Sequence, residues 1–207
     1  MQKSDFYKTI AQVISYAFHP LLMASAAVFI LFNSGHYLSV VNSDIRDTIY
    51  SIFLILTFIL PALFIPVLYY FRIITKLEID LRKERLLPLV SILIIYSLAY
   101  YFMQRVSMPP ILLKVILSSV VILAMSLLIT VFWKISLHTT ALGGLLGFVI
   151  YIGINSNLNV LFIGFIIIIV SGFVATSRLY LGRHNPFQVY AGFLGGIAAV
   201  YVSMLLF

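Results

Sequence analysis

VLFIGFIIIIVSGFVATSRLYLGRHNPFQVYAGFLGG, residues 160–196, decides what kind of protein this is. Val160–Leu181 is almost wholly apolar, and a helix needs about 20 such residues to cross a bilayer core. A second apolar run opens at Phe187 and continues to Phe207. At the end of the first and before the second opens, Arg178, Arg183 and His184 crowd into one short stretch. Ionisable side chains beside lipid are costly unless they line a polar cavity or reach an interface. The cluster is therefore either a headgroup anchor with a histidine cap on the next helix, or one wall of a polar site. The rest of the chain has to choose.

The composition extends the membrane reading to the whole chain. Of 207 residues, 63% are hydrophobic and 9% charged, against about 25% charged in an ordinary soluble domain. Seven apolar segments can be marked, near Ile10–Phe32, Tyr50–Phe71, Pro88–Met103, Ile111–Trp133, Thr140–Ile154, Val160–Leu181 and Phe187–Phe207. The third and fifth are short for a span and have to borrow from their flanking loops. The expected fold is all-α, a polytopic transmembrane helical bundle of six to seven spans forming a single domain over residues 1–207. Ala24-Ser25-Ala26 has the small-residue look of a signal-peptidase site, but the apolar run continues to Phe32, so a retained first span is expected. There is no cysteine, hence no disulfide or thiol chemistry.

The net charge of +7 is unevenly placed. Lys3, Lys8, Arg72, Lys76, Arg82, Lys83, Arg85, Lys134, Arg178 and Arg183 lie in the N-terminus or after spans two, four and six. Only Arg46, Arg105 and Lys114 lie on the other side. The positive-inside rule makes the basic face cytoplasmic. Short basic loops beside spans suit anionic headgroups or phosphate, and argue against a nucleic-acid partner. Span parity is independent of sidedness. Even numbers of spans separate the loops of Arg82, His138 and His184, so all three emerge on one face.

Those loops are KLEIDLRKERLLP (76–88), WKISLHTTALGG (133–144) and the cluster quoted above. Arg82 and Arg85 share a face if helical. Arginine forks grip phosphate oxygens and stabilise transition-state charge. Of two histidines, one can attack phosphorus and the other protonate the departing alkoxide.

In this arrangement the sequence resembles the membrane-bound type 2 phosphatidic acid phosphatases, which share their site with vanadium haloperoxidases and bacterial acid phosphatases. Ser177-Arg178, five residues and His184 match the family's third motif, with Gln188 where the family has Asp. Ile135-Ser136-Leu137-His138 keeps the Ser and His of the second motif but not its Pro and Gly. Arg85, three residues before Pro88, is a loose version of the first. The resemblance covers Lys76–Gly196 and looks like a compact bacterial subgroup. It implies a lipid phosphatase of the bacterial inner membrane that needs no cofactor and no metal. His184 would be the nucleophile forming a phosphohistidine, and His138 the acid and then the base. Arg178, Arg82, Arg85 and Lys83 would hold the phosphate, with a hydrogen bond from Ser136. The implied substrate is phosphatidic acid, phosphatidylglycerol phosphate, another phospholipid phosphate or a polyprenyl pyrophosphate. Gln188 can accept a bond from His184 but brings no charge. Glu84 or Asp80 are the nearby carboxylates that might replace it. The alternative is a non-catalytic phospholipid-binding or lipid-transport protein using the same basic pocket.

Two further features stand outside the motifs. His19-Pro20 interrupts the first span. A histidine there is either functional or bonded to backbone freed by the kink, and the structural reading is preferred. Gly143/Gly147 and Gly192/Gly196 have the small-xxx-small spacing that lets spans five and seven approach closely.

Overall fold

The computed structural model describes residues 3–75 and 82–207. Lys76 and Asp80 lie outside them. Among the described residues there is no strand, and seven helical stretches are long and apolar enough to cross a membrane. They are Asp5–Asn33, Ser43–Tyr70, Lys83–Arg105, Pro110–Phe132, Leu137–Asn155, Leu161–Tyr180 and Pro186–Leu206. The chain is an all-α polytopic bundle. The two short segments gain their missing turns from the loops: the third begins at Lys83, and the fifth begins at Leu137.

Two spans are interrupted. The first comprises α1 (Lys3–Ala17), a 3-10 turn at Pro20–Leu22 and α2 (Met23–Asn33). Proline at 20 has no N–H to give and its ring clashes with the preceding turn, so α1 cannot run through it. The second comprises α3 (Ser43–Leu54), a π-turn at Ile55–Ile59 and α4 (Leu60–Tyr70). A π-turn widens the ladder. The Thr57 carbonyl there accepts the Tyr96 hydroxyl at 2.7 Å, and Thr57 Oγ1 meets Ser25 Oγ at 3.1 Å, tying the first three spans together. The third span is a 3-10 turn (Lys83–Arg85) leading into α5 (Leu86–Arg105). The remaining spans are unbroken: α6 (Pro110–Phe132), α7 (Leu137–Asn155), α8 (Leu161–Tyr180) and α9 (Pro186–Leu206).

The axis of the bundle is α7. Inside the bundle, 61% of its apolar stretch is buried, against 22–33% for the other spans. Its closest partner is α9, and glycine makes that contact possible. A Cβ added at Gly143 would lie 2.0 Å from the Phe193 carbonyl oxygen, and one at Gly196 would lie 2.1 Å from that of Thr140. No side chain fits either gap, so backbone packs on backbone. This is the close approach expected from the glycine spacing. Hydrogen bonds then cross the seam: Thr139 Oγ1 donates to the Val189 carbonyl at 2.9 Å, and Ser136 N–H donates to that of Gln188 at 3.3 Å. The N-terminal ends of α7 and α9 are thereby held side by side.

Candidate active site

The approach to His184 is made of two helix caps back to back. α8 ends in a Schellman motif: Arg183 N–H donates to the Arg178 carbonyl at 3.1 Å and Gly182 N–H to that of Leu179 at 3.0 Å. Gly182 sits at φ 63, the left-handed conformation the motif needs and glycine adopts freely. Two residues later Asn185 caps α9, with Pro186 at its first position. Asn185 Oδ1 accepts from Gln188 N–H at 3.0 Å, and Gln188 Oε1 accepts from Asn185 N–H at 3.3 Å, a reciprocal capping box. The cap of α9 is thus Asn185 and not the histidine. His184 is left over, 9% exposed and pointing inward.

The capping box determines the state of the His184 ring. Because Asn185 N–H can only donate, the end of the Gln188 amide facing it is the oxygen. That oxygen also lies 2.9 Å from His184 Nδ1. An amide oxygen can only accept, so Nδ1 carries the hydrogen and Nε2 keeps its lone pair. Burial pushes the ring down to about 3, helped by the positive charges of Arg85, Arg178 and Lys134 and opposed by the Gln188 bond. The ring is neutral at neutral pH, with Nε2 available.

His138 is oriented differently. Its Nε2 lies 3.2 Å from the Ser15 carbonyl oxygen, so Nε2 carries the hydrogen and Nδ1 faces away with a lone pair. In an unbroken helix that carbonyl would accept the N–H of residue 19. His19 instead has extended backbone (φ −65, ψ 136), and Pro20 follows it. The break leaves the last carbonyls of α1 outside the ladder, and His138 takes one of them. His19 itself caps the 3-10 turn, its Nδ1 accepting from Leu21 N–H at 3.3 Å. Its ring stands edge-on to His138, with centroids 5.8 Å apart.

His19, His138, His184, Arg85, Arg178 and Arg183 all border one cavity of about 280 Å³. Arg85 is only 8% exposed, and its Nη1 reaches the Ile135 carbonyl at 3.5 Å. Other phosphate-binding candidates lie elsewhere. Arg82 donates to the Phe132 carbonyl and Lys83 is exposed; neither borders the cavity. Ser136 Oγ is fully buried and has no hydrogen-bond partner among the described residues; it too is absent from the cavity wall. Glu84 turns to Thr75, accepting from its hydroxyl at 3.0 Å and its N–H at 3.3 Å. Asp80 is outside the described residues. Gln188 is the acceptor seen at His184.

A family model described as the PAP2 superfamily matches residues 118–207. Over that stretch, a little under half of the chain, the sequence is similar to the PAP2 superfamily. Its members are phosphatases. No curated protein and no solved structure matches the chain. The PAP2 stretch carries His138, Arg178, Arg183, His184 and Gln188. The cavity is completed from outside it, by Arg85 from the third span and by the Ser15 carbonyl and His19 from the first. Sequence reasoning placed Arg183 in the cluster but gave it no part in holding phosphate, and it preferred a purely structural His19. The signal for the first was its place beside His184. For the second it was the ionisable side chain within an apolar span. Nothing in the sequence pointed to a backbone carbonyl at Ser15.

Proposed function

We propose that this protein is an integral-membrane lipid phosphatase that hydrolyses a phosphomonoester or pyrophosphate of a lipid through a phosphohistidine on His184. The observation that carries this reading is the Gln188 oxygen held between Asn185 N–H and His184 Nδ1, which leaves Nε2 as a neutral nucleophile facing a cationic cavity. Phosphate enters beside Arg85, Arg178 and Arg183, whose charge stabilises the equatorial oxygens as the P–O bond breaks. Nε2 attacks phosphorus while His138 takes up a proton at Nδ1 from the substrate's phosphate monoanion and delivers it to the departing lipid oxygen. His138, now neutral, takes a proton from water as it attacks the phosphohistidine, releasing phosphate and restoring both rings. The scheme invokes no metal ion. The substrate class is phosphatidic acid, phosphatidylglycerol phosphate or polyprenyl pyrophosphate, and the basic loops favour a cytoplasmic-facing site.

Purified full-length protein in mixed micelles should release phosphate from at least one of these lipids. His184→Ala and His138→Ala should each abolish it while leaving the protein folded. Undiminished release in both variants would refute the assignment. Lipid binding with no turnover in the wild type would favour a carrier.

A further inference from the structure

The cavity is much deeper than a phosphate needs. Its wall runs along α7 from His138 to Phe148, ten residues, or about 15 Å at helical rise. Along the third span it runs from Arg85 to Tyr96, about 16 Å by the same rise. All the histidines and arginines are at one end. Leu89, Ile92, Ile122 and Leu145 line the rest, together with several hydroxyl residues. Four of those hydroxyls are already committed to carbonyl oxygens: Ser118 and Ser119 to Val115, Thr140 to Ser136, Tyr96 to Thr57. The deep wall therefore offers mainly hydrocarbon.

The far end is closed. Phe148 and Val115 are each 2% exposed. Just beyond them Lys114 Nζ donates to the Tyr151 hydroxyl at 3.1 Å and to the Met204 carbonyl at 2.9 Å, tying α6, α7 and α9 together. The space is a blind pocket, not a path across the bilayer. A cavity of about 280 Å³ lies just below the range of about 300–1,000 Å³ that holds a drug-sized ligand. Its depth of about 15 Å, less the room a phosphate takes, accommodates roughly ten carbons of an extended chain at about 1.2 Å per bond. That is one chain, not two.

We infer that the pocket receives a single hydrocarbon chain of the lipid phosphate to a depth of about ten carbons, with Phe148 as the floor that gauges its length. The inference rests on the phosphatase reading, because it assumes the phosphate sits at the histidine end. A diacyl lipid would have to leave its second chain outside, so lipid phosphates with one slender chain are the favoured class.

The test is a chain-length series of n-alkyl phosphates from six to sixteen carbons in mixed micelles. For the wild type, kcat/KM should rise about fourfold per added carbon, the equivalent of about 0.8 kcal/mol per buried methylene, and flatten near ten. Phe148→Ala should move the break to longer chains, and Leu145→Phe should move it to shorter ones. The break is read within each variant, so a general loss of activity does not blur it. Should Phe148→Ala not fold, Phe148→Leu serves in its place. A series without a break, or a break unmoved by both substitutions, overturns the inference. If no alkyl phosphate is hydrolysed, it is the phosphatase reading that fails. The pocket is then read from thermal stabilisation by alkyl phosphonates, where the same break supports a single-chain pocket and its absence refutes one.

Discussion

The two histidines that border the cavity from the PAP2 stretch are held in opposite ways. His184 is oriented by a side chain four residues along, inside the capping box of α9. His138 is oriented by a backbone carbonyl 123 residues away, released by the break in the first span. The first device is local and depends on one side chain. The second is remote and depends on a backbone interruption, so no single side-chain deletion at Ser15 removes it. One consequence is genetic: the first should be fragile at Gln188, the second at Pro20. Another is architectural: the first 117 residues, although outside the family match, supply part of the site.

The comparison is broken most severely by separating the two histidines altogether. Gly196→Val places bulk where even a Cβ would meet the Thr140 carbonyl oxygen at 2.1 Å. The α7–α9 seam should open, with loss of folded, monodisperse protein and of all activity. Gly172, whose Cβ would meet nothing within 4 Å, is the control, and Gly172→Ala should behave as wild type in thermal unfolding.

The local arm is tested by Gln188→Leu. Without its acceptor the His184 ring can adopt the other tautomer, and a tautomer loss in a related catalytic arrangement costs about 10⁴ in turnover. A fall in kcat of about 10²–10⁴ is expected here, with KM little changed. Gln188→Asp keeps an acceptor and should retain most activity. Equal losses in both would show that the amide is not acting as the acceptor.

The remote arm is tested by Pro20→Ala. Restoring an N–H and free φ lets α1 continue and recapture its carbonyls, including that of Ser15. The expected fall in kcat is smaller, up to about 10²-fold, as for a misplaced group still within reach of its substrate. Trapped phosphoenzyme should build up, since His138 then activates water poorly. Unchanged turnover would reduce the break to a packing feature.

The smallest effect concerns pH. His184 is held near 3, well below the ordinary 6.5 of the unfolded chain. Between those values the unfolded state binds the proton and the folded state does not, so this group's contribution to stability falls as pH drops from about 6.5 towards 3. Arg85→Gln removes one of the charges holding the ring down and should raise its midpoint. The pH dependence of diethyl pyrocarbonate modification at His184 reads this directly, and a midpoint unmoved or lowered would contradict it.

How much of this was legible in the sequence follows the same local–remote division. Apolar runs separated by polar loops are a local signal, and they located all seven spans to within several residues. The glycine spacing on spans five and seven is equally local, and so is the capping pair Asn185 and Gln188, although the sequence reading offered the neighbouring histidine as the cap. Span parity placed the loops of Arg85, His138 and His184 on one face, but parity cannot tell which side chain of a basic loop turns inward. Arg82 and Arg85, three apart, reach carbonyls at the end of α6 and in the loop after it respectively, yet only Arg85 borders the cavity. The Ser15 carbonyl was illegible, because a backbone oxygen carries no residue identity and its availability depends on where a helix breaks.

The central claim is that Gln188 leaves Nε2 of His184 as the nucleophile. The most direct measurement is rapid quench of full-length protein during turnover of a labelled lipid phosphate, followed by assignment of the phosphorylated ring nitrogen. The account predicts phosphate on His184, attached at Nε2. Phosphate attached at Nδ1 of that ring, or carried instead by His138, would contradict it.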